Sequence, residues 1–347
     1  MAKRQIPVIV LAGFLGSGKT TLLNHLLGRS GGSRIGAIVN DFGSIEIDAM
    51  NVAGQVDSMV SLGNGCLCCA VDTSELDGFL DRLARPAARI DVIVVEASGL
   101  AEPQEIIRMI LASENKAIVY GGLVEVIDAA EFSGTRARHP ELDRHVAIAD
   151  LVVLNKTDRI GDEARESLTA TLAELAPGTP VVTASYGRVD PDLLFDRKPK
   201  EERNEAIRQL SFEDLCTGDE DDDHHGHLHA AYESVEFISD DPMHPRRLME
   251  FLDSRPEGLY RIKGFVHFGV AGHRNKYAVH AVGDFLRFYP SAWARSEKRA
   301  TQLVMIGSGI DARALWDRLD ACRDTALSTE GEDAGHSMWG VLRYAQS

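Results

Sequence analysis

The chain has 347 residues, enough for two domains of ordinary size, and its 44% hydrophobic content supplies a core and excludes global disorder. The formal net charge of −16 argues against a nucleic-acid partner, because a phosphate-backbone binder wants a basic face. No apolar run is long enough to span a bilayer and no signal peptide precedes the first strand, so no membrane partner is expected and the expected location is the cytoplasm.

The first informative stretch is Gly13-Phe-Leu-Gly-Ser-Gly-Lys-Thr20, a G-x-x-x-x-G-K-T phosphate-binding loop. The β-branched run Ile6 to Leu11 precedes it and the leucine-rich, helix-like run Thr21 to Leu27 follows it, so the motif has its strand–loop–helix context. Gly13, Gly16, Ser17, Gly18 and Thr21 are read as backbone that wraps a phosphate, helped by the dipole of the helix N-terminus. Lys19 is placed to reach the β- and γ-phosphates, and the Thr20 hydroxyl to ligate Mg²⁺.

Residues 34–40 read as a second strand that ends in Asn40-Asp-Phe-Gly43. Asp41 is the candidate partner of Mg²⁺ or of the attacking water; the alternative is an Asx-type turn made by Asp41 and Gly43. Next comes Gly63-Asn-Gly-Cys-Leu-Cys-Cys69. Three of the five cysteines crowd here, poor geometry for a disulfide framework and suitable for a thiophilic ion. Thiolates of Cys66, Cys68 and Cys69 suit Zn²⁺, Co²⁺ or Cu⁺, and three ligands leave a position open for water or a receiving protein. Buried thiols in a core loop, or a redox pair, are the alternatives.

Asp91 to Glu96 has the continuous apolar character of a central parallel strand. Glu96 at its tip fits an acid that holds Mg²⁺ directly or through water, and Gly99 can offer its N–H to the γ-phosphate; a surface glutamate at a strand end is the alternative. Residues 117–129 contain another strand, ending at Asp128, and Asp150 to Asn155 form a further buried one. The latter runs into Asn155-Lys-Thr-Asp158, an N-K-x-D guanine-reading tetrad. The Asp158 carboxylate can accept from the guanine ring N–H and exocyclic amine, whereas adenine would leave it unpaired at a cost of about 1–3 kcal/mol. Asn155 and Lys156 would hold the loop and stack along the base. A helix over 163–175 and a strand over 179–183 follow, and 183–185 is a candidate backbone contact to the base edge. Strands alternating with helices predict an α/β P-loop domain over 1–195, with a doubly wound, mostly parallel sheet.

Residues 196–231 read as a charged linker. In it, five acids at 219–223 precede His224, His225, His227 and His229, a composition that cannot pack in a core. Two readings stand: a low-affinity metal antenna feeding the cysteines, or a solvated acidic linker. A smaller α+β domain is expected over 232–325. Its strands are read at 233–239, 264–270, 276–282, 285–289 and 302–306, its helices at 245–255 and 311–323, with Asp311 as N-cap. His267, His273 and His280 there are read as structural, Cys216 and Cys322 as bystanders, and 326–347 as a tail with a short segment at 339–344.

The set GFLGSGKTTLL, NDFG, GNGCLCC, EASG and NKTD, in this order, resembles the CobW-type family of P-loop GTPases. These are metal-trafficking proteins, similar in their G domain to the nickel-insertion GTPases of hydrogenase and urease maturation. The resemblance implies phosphate and Mg²⁺ binding at Lys19 and Thr20, metal-linked switch acids at Asp41 and Glu96, and cargo-ion binding at Cys66, Cys68 and Cys69. It also favours the antenna reading of the histidines. Two departures stand out: Asp41 where the family usually has Glu, and His145 where it usually has Gln. The reading is a GTPase metallochaperone that uses GTP, Mg²⁺ and Zn²⁺ or Co²⁺, slow without partner or metal. Its implied partners are a metal-dependent client and, as a further arrangement, a second copy in a homodimer. Two other readings remain: a zinc buffer or sensor with GTP as a conformational latch, and a GTP-dependent helper of cobalt insertion in cobalamin synthesis.

Overall fold

A computed structural model describes residues 5–30, 32–39, 58–61, 73–196, 232–270, 272–324 and 338–345. They form two compact units, the second made of Gly178–Pro180 and the chain from Tyr232 onward. In the first, seven parallel strands make one sheet: β1 (Ile6–Ala12), β2 (Ile35–Val39), β3 (Ser58–Ser61), β4 (Val92–Glu96), β5 (Ile118–Asp128), β6 (Leu151–Asn155) and β7 (Val181–Thr183), in the order β3-β2-β4-β1-β5-β6-β7. Every residue of β2, β4 and β6 is buried, as a sheet covered on both faces requires. The crossovers use α1 (Lys19–Gly28), α2 (Thr73–Leu83), α3 (Pro103–Ala112), α4 (Phe132–Arg138), α5 (Leu142–Ala147) and α6 (Asp162–Leu175), and the short α7 (Pro191–Leu194) follows β7. This is the doubly wound architecture expected from the sequence, with β1 and β5 side by side at its centre.

Two details depart from the sequence reading. Strand β3 was not anticipated; four residues are too short to show a periodicity. Strand β7 starts at Val181, after Pro180, which has no N–H to give to a ladder.

The second unit is an antiparallel sheet of β8 (Glu233–Ser239), β9 (Leu259–Val266), β10 (Lys276–Val282), β11 (Phe285–Ser291) and β12 (Thr301–Gly307), in the order β11-β10-β9-β12-β8. Its helices are α8 (Pro245–Asp253), α9 (Ala312–Asp320) and the short α10 (Trp339–Arg343). Alternation along β8 buries Val235, Phe237 and Ser239. Phe237 joins Leu248, Leu252, Phe268, Phe288 and Leu319 in one core. Asp311 caps α9, its carboxylate accepting from the N–H groups of Arg313 and Ala314 at 3.0 Å each. The expected strand over 264–270 is corrected to β9: the ladder begins at Leu259 and ends at Val266. Gly264 is not a strand start but an interior position pressed onto the Gln302 carbonyl, where a side chain has no room. Among the described residues, no helix is long and apolar enough to cross a membrane.

Candidate nucleotide site

The first unit brings its informative loops to the carboxyl ends of β1, β4, β5 and β6. At the end of β1 the chain turns through Gly13, whose φ of 140° only glycine adopts without strain. A Cβ there would lie 2.2 Å from the Val126 carbonyl oxygen, so the loop rests directly on β5. Gly18 precedes α1 in a left-handed conformation and no side chain caps the helix. The first N–H groups of α1 therefore face the loop without a side-chain acceptor, which suits an anion. Lys19 is buried, and its ammonium donates to the carbonyls of Gly13 at 2.9 Å and Phe14 at 3.3 Å.

Thr20 and Glu96 meet: the hydroxyl donates to the Glu96 carboxylate at 2.6 Å, with Glu96 buried at the tip of β4. A hydroxyl and a carboxylate at one point are the hard oxygen donors that Mg²⁺ takes. Gly99 lies against the loop apex; a Cβ on it would fall 2.7 Å from the Leu15 nitrogen.

The N-K-x-D tetrad is joined to the phosphate loop by two side chains. Asn155 is buried; its amide donates to the Ser17 carbonyl at 2.9 Å while its oxygen accepts from the Gly187 N–H at 3.0 Å. Lys156 takes a left-handed backbone (φ 61°), a strained choice for a lysine that aims its ammonium back at the loop. It donates to the Gly16 carbonyl at 2.7 Å and to Asp128 at 2.7 Å. Thr157 donates twice to the Ala184 carbonyl, through N–H at 3.2 Å and hydroxyl at 3.1 Å, which ties 183–185 to the same loop. Asp158 is exposed and makes no hydrogen bond or ion pair among the described residues.

Asp41, Cys66, Cys68, Cys69, His224, His225, His227 and His229 lie outside the described residues, as does Cys216. Cys322 is buried in the second unit, and burial pushes its thiol up to about 11, the behaviour of an inert packing residue. His145 packs at 8% exposure with its Nε2 3.2 Å from Glu102.

Two residues of this site were not singled out from the sequence. Asp128 anchors Lys156 and stands 3.6 Å from Arg159. Its position at a strand tip beside the P-loop strand was the available signal. Glu125, three residues earlier on β5, is 2% exposed, with Oε2 buried and unpaired. Burial raises its carboxyl to about 8 against the opposing pull of Lys19. It lines a cleft of about 360 Å³ beside the loop, together with Phe14, Leu15, Phe132, Leu142 and Lys156.

Residues 7–183 match the CobW/HypB/UreG nucleotide-binding domain, and residues 232–323 match the cobalamin synthesis protein cobW C-terminal domain. The chain is 31% identical to the zinc chaperone CobW of Pseudomonas aeruginosa, over 91% of each chain. It is 29% identical to the zinc chaperone CobW of a Sinorhizobium species, over 87% of this chain and 93% of that one. With the zinc chaperone YjiA of Escherichia coli it shares 33% identity over 55% of this chain and 61% of that protein.

Proposed function

The chain belongs to the CobW/HypB/UreG family, and from that premise we propose that it binds and hydrolyses GTP and couples the nucleotide state to binding and delivery of a thiophilic metal, zinc foremost. The observation that carries the nucleotide half is the junction at Asn155 and Lys156, which join the base-reading loop to the phosphate loop while the Asp158 carboxylate stays open. Guanine offers that carboxylate two donors and adenine none, so the site selects GTP over ATP. The triphosphate settles on the N–H groups of the loop and of α1. Lys19 exchanges the Gly13 and Phe14 carbonyls for phosphate oxygens, a stronger, charge-assisted set of bonds. Thr20 and Glu96 hold Mg²⁺, with Asp41 as a further acid; when bound, the ion neutralises charge that develops on the phosphates. Gly99 offers its N–H at the loop apex.

Cys66, Cys68 and Cys69 bind the cargo ion as thiolates. The zinc-chaperone names of the relatives support zinc, and cobalt is the alternative cargo. His224, His225, His227 and His229 collect the ion at lower affinity. Hydrolysis changes ion affinity and hands the metal to a client protein, with turnover slow until a client, the metal or a second copy is engaged.

The test is a Zn²⁺ and Co²⁺ titration against a competing chelator, with the protein loaded with a non-hydrolysable GTP analogue or with GDP. A change of about tenfold between nucleotides, or ~1.4 kcal/mol of coupling, is expected, together with its loss when Cys66, Cys68 and Cys69 are all changed to Ser. Equal affinity in both nucleotide states would refute the coupling.

A further inference from the structure

We infer that Glu125 is a positioning residue for Lys19, a carboxyl under the phosphate loop whose proton decides how much of the lysine's charge the nucleotide receives. The inference rests on the GTP reading above and deepens it.

The register places Glu125 beside Ala12, the last residue of β1, and the next carbonyl along, that of Val126, is the one against which Gly13 is pressed. Glu125 thus sits directly under the start of the loop. It is 2% exposed and Oε2 is sealed without a hydrogen-bond partner. A buried polar atom without a partner costs stability.

The other charges around the cleft are engaged elsewhere. Lys156 and Arg159 face Asp128, and Arg159 also stands 3.9 Å from Glu131. Arg138 donates to the Gly134 carbonyl. The charge that acts on Glu125 is Lys19, from the loop above it. That ammonium rests on the Gly13 and Phe14 carbonyls and must leave them for phosphate oxygens.

The two protonation states then differ in effect. An ionised Glu125 is a second anion for Lys19: it holds the ammonium down on the carbonyls and repels the incoming phosphates through a medium that screens poorly. A neutral Glu125 makes neither demand. GTP therefore prefers the protonated form, and binding takes up a proton wherever Glu125 is ionised beforehand.

The experiment uses the full chain and Mg²⁺-GTP, with Kd measured by titration calorimetry between pH 7 and pH 9 for wild type, Glu125→Gln and Glu125→Asp. Wild-type affinity is expected to fall by about tenfold more than that of Glu125→Gln over this range, because a group that titrates near 8 changes state across it. Ionisation of the guanine ring is common to all the chains and cancels in the comparison. Glu125→Asp keeps a titrating group and should keep a pH-dependent loss. In buffers of different ionisation heat at pH 8.5, wild type should show proton uptake on binding. That readout needs no variant and decides the matter if Glu125→Gln does not fold, because an uptake of about half a proton or more exceeds what the partly ionised guanine ring can account for at this pH. Parallel profiles for wild type and Glu125→Gln, or no proton uptake, would overturn the inference and leave the GTP reading standing. Failure of wild type to bind GTP at pH 7 would overturn both.

Discussion

Replacing Glu125 with Gln should stabilise the first unit, by an amount that grows with pH. The perturbation removes a titrating group and keeps a side chain of the same shape. In the folded chain the Glu125 carboxyl is raised from its ordinary 4.5 to about 8 by burial. The folded state therefore holds a proton that the unfolded chain has released, at every pH between those values. Stability contributed by that proton is full below about 4.5 and declines as pH rises, until the folded group also ionises near 8; beyond that it is level. At ~1.36 kcal/mol per pKa unit, rounded off close to 8, wild type should lose about 2 kcal/mol relative to Glu125→Gln between pH 6 and pH 8. For a unit of this size that is a relative shift of about 4–8 °C in Tm. Differential scanning calorimetry is the suitable assay. All three tryptophans, Trp293, Trp316 and Trp339, lie in the second unit, so tryptophan fluorescence would report the wrong part of the chain. Identical pH dependence in the two proteins would refute the reasoning, because it would mean that Glu125 titrates as an ordinary surface acid.

Three other outcomes are expected. Gly13→Ala drives a Cβ to 2.2 Å from the Val126 carbonyl at a φ of 140°; it should abolish GTP binding and cost the first unit about 3 kcal/mol or more, read by nucleotide titration and calorimetry. Asp158→Asn removes an acceptor that faces two guanine donors and should weaken GTP by about 1–3 kcal/mol while improving xanthosine triphosphate, whose ring carbonyl can meet the new amide donor; competition binding separates the two. Asp311→Ala deletes the α9 cap and should cost the second unit about 1 kcal/mol, read through Trp316 on that helix, with GTP binding unchanged.

The parallel sheet was legible in the sequence because its central strands are continuous apolar runs with glycine-rich or polar loops after them; Val92 to Glu96 and Leu151 to Asn155 can hardly be read otherwise. The motif residues Lys19, Thr20, Glu96, Asn155 and Lys156 were legible because their chemistry fixes their spacing from a strand end. What was not legible depends on neighbours remote in sequence. Glu125 sits in Val-Glu-Val-Ile, which reads as ordinary alternation with a solvent-facing acid; only the strand order, with β1 on one side and β6 on the other, buries it. Strand β9 was misplaced by several residues because Leu-Tyr-Arg-Ile carries a buried arginine, Arg261, which looks like a loop residue until its sheet neighbours are known. The shared use of Asp128 by Lys156 and Arg159 is likewise a meeting of two strand ends.

The two hydrogen bonds of Asn155 make the site a ruler. One end is the Ser17 carbonyl in the phosphate loop and the other is the Gly187 N–H, two residues past the 183–185 segment that Thr157 holds, both fixed by a single buried side chain. A ligand that carries base and phosphates at the matching separation is gripped twice, and its second contact forms at the high effective concentration that a rigid spacer gives. Guanosine alone, or tripolyphosphate alone, can claim only one grip. The joined molecule should bind far more tightly than either part, with an association constant near the product of the two separate constants and the effective concentration. On the proposed reading, selectivity for the whole nucleotide depends on a length that Asn155 sets.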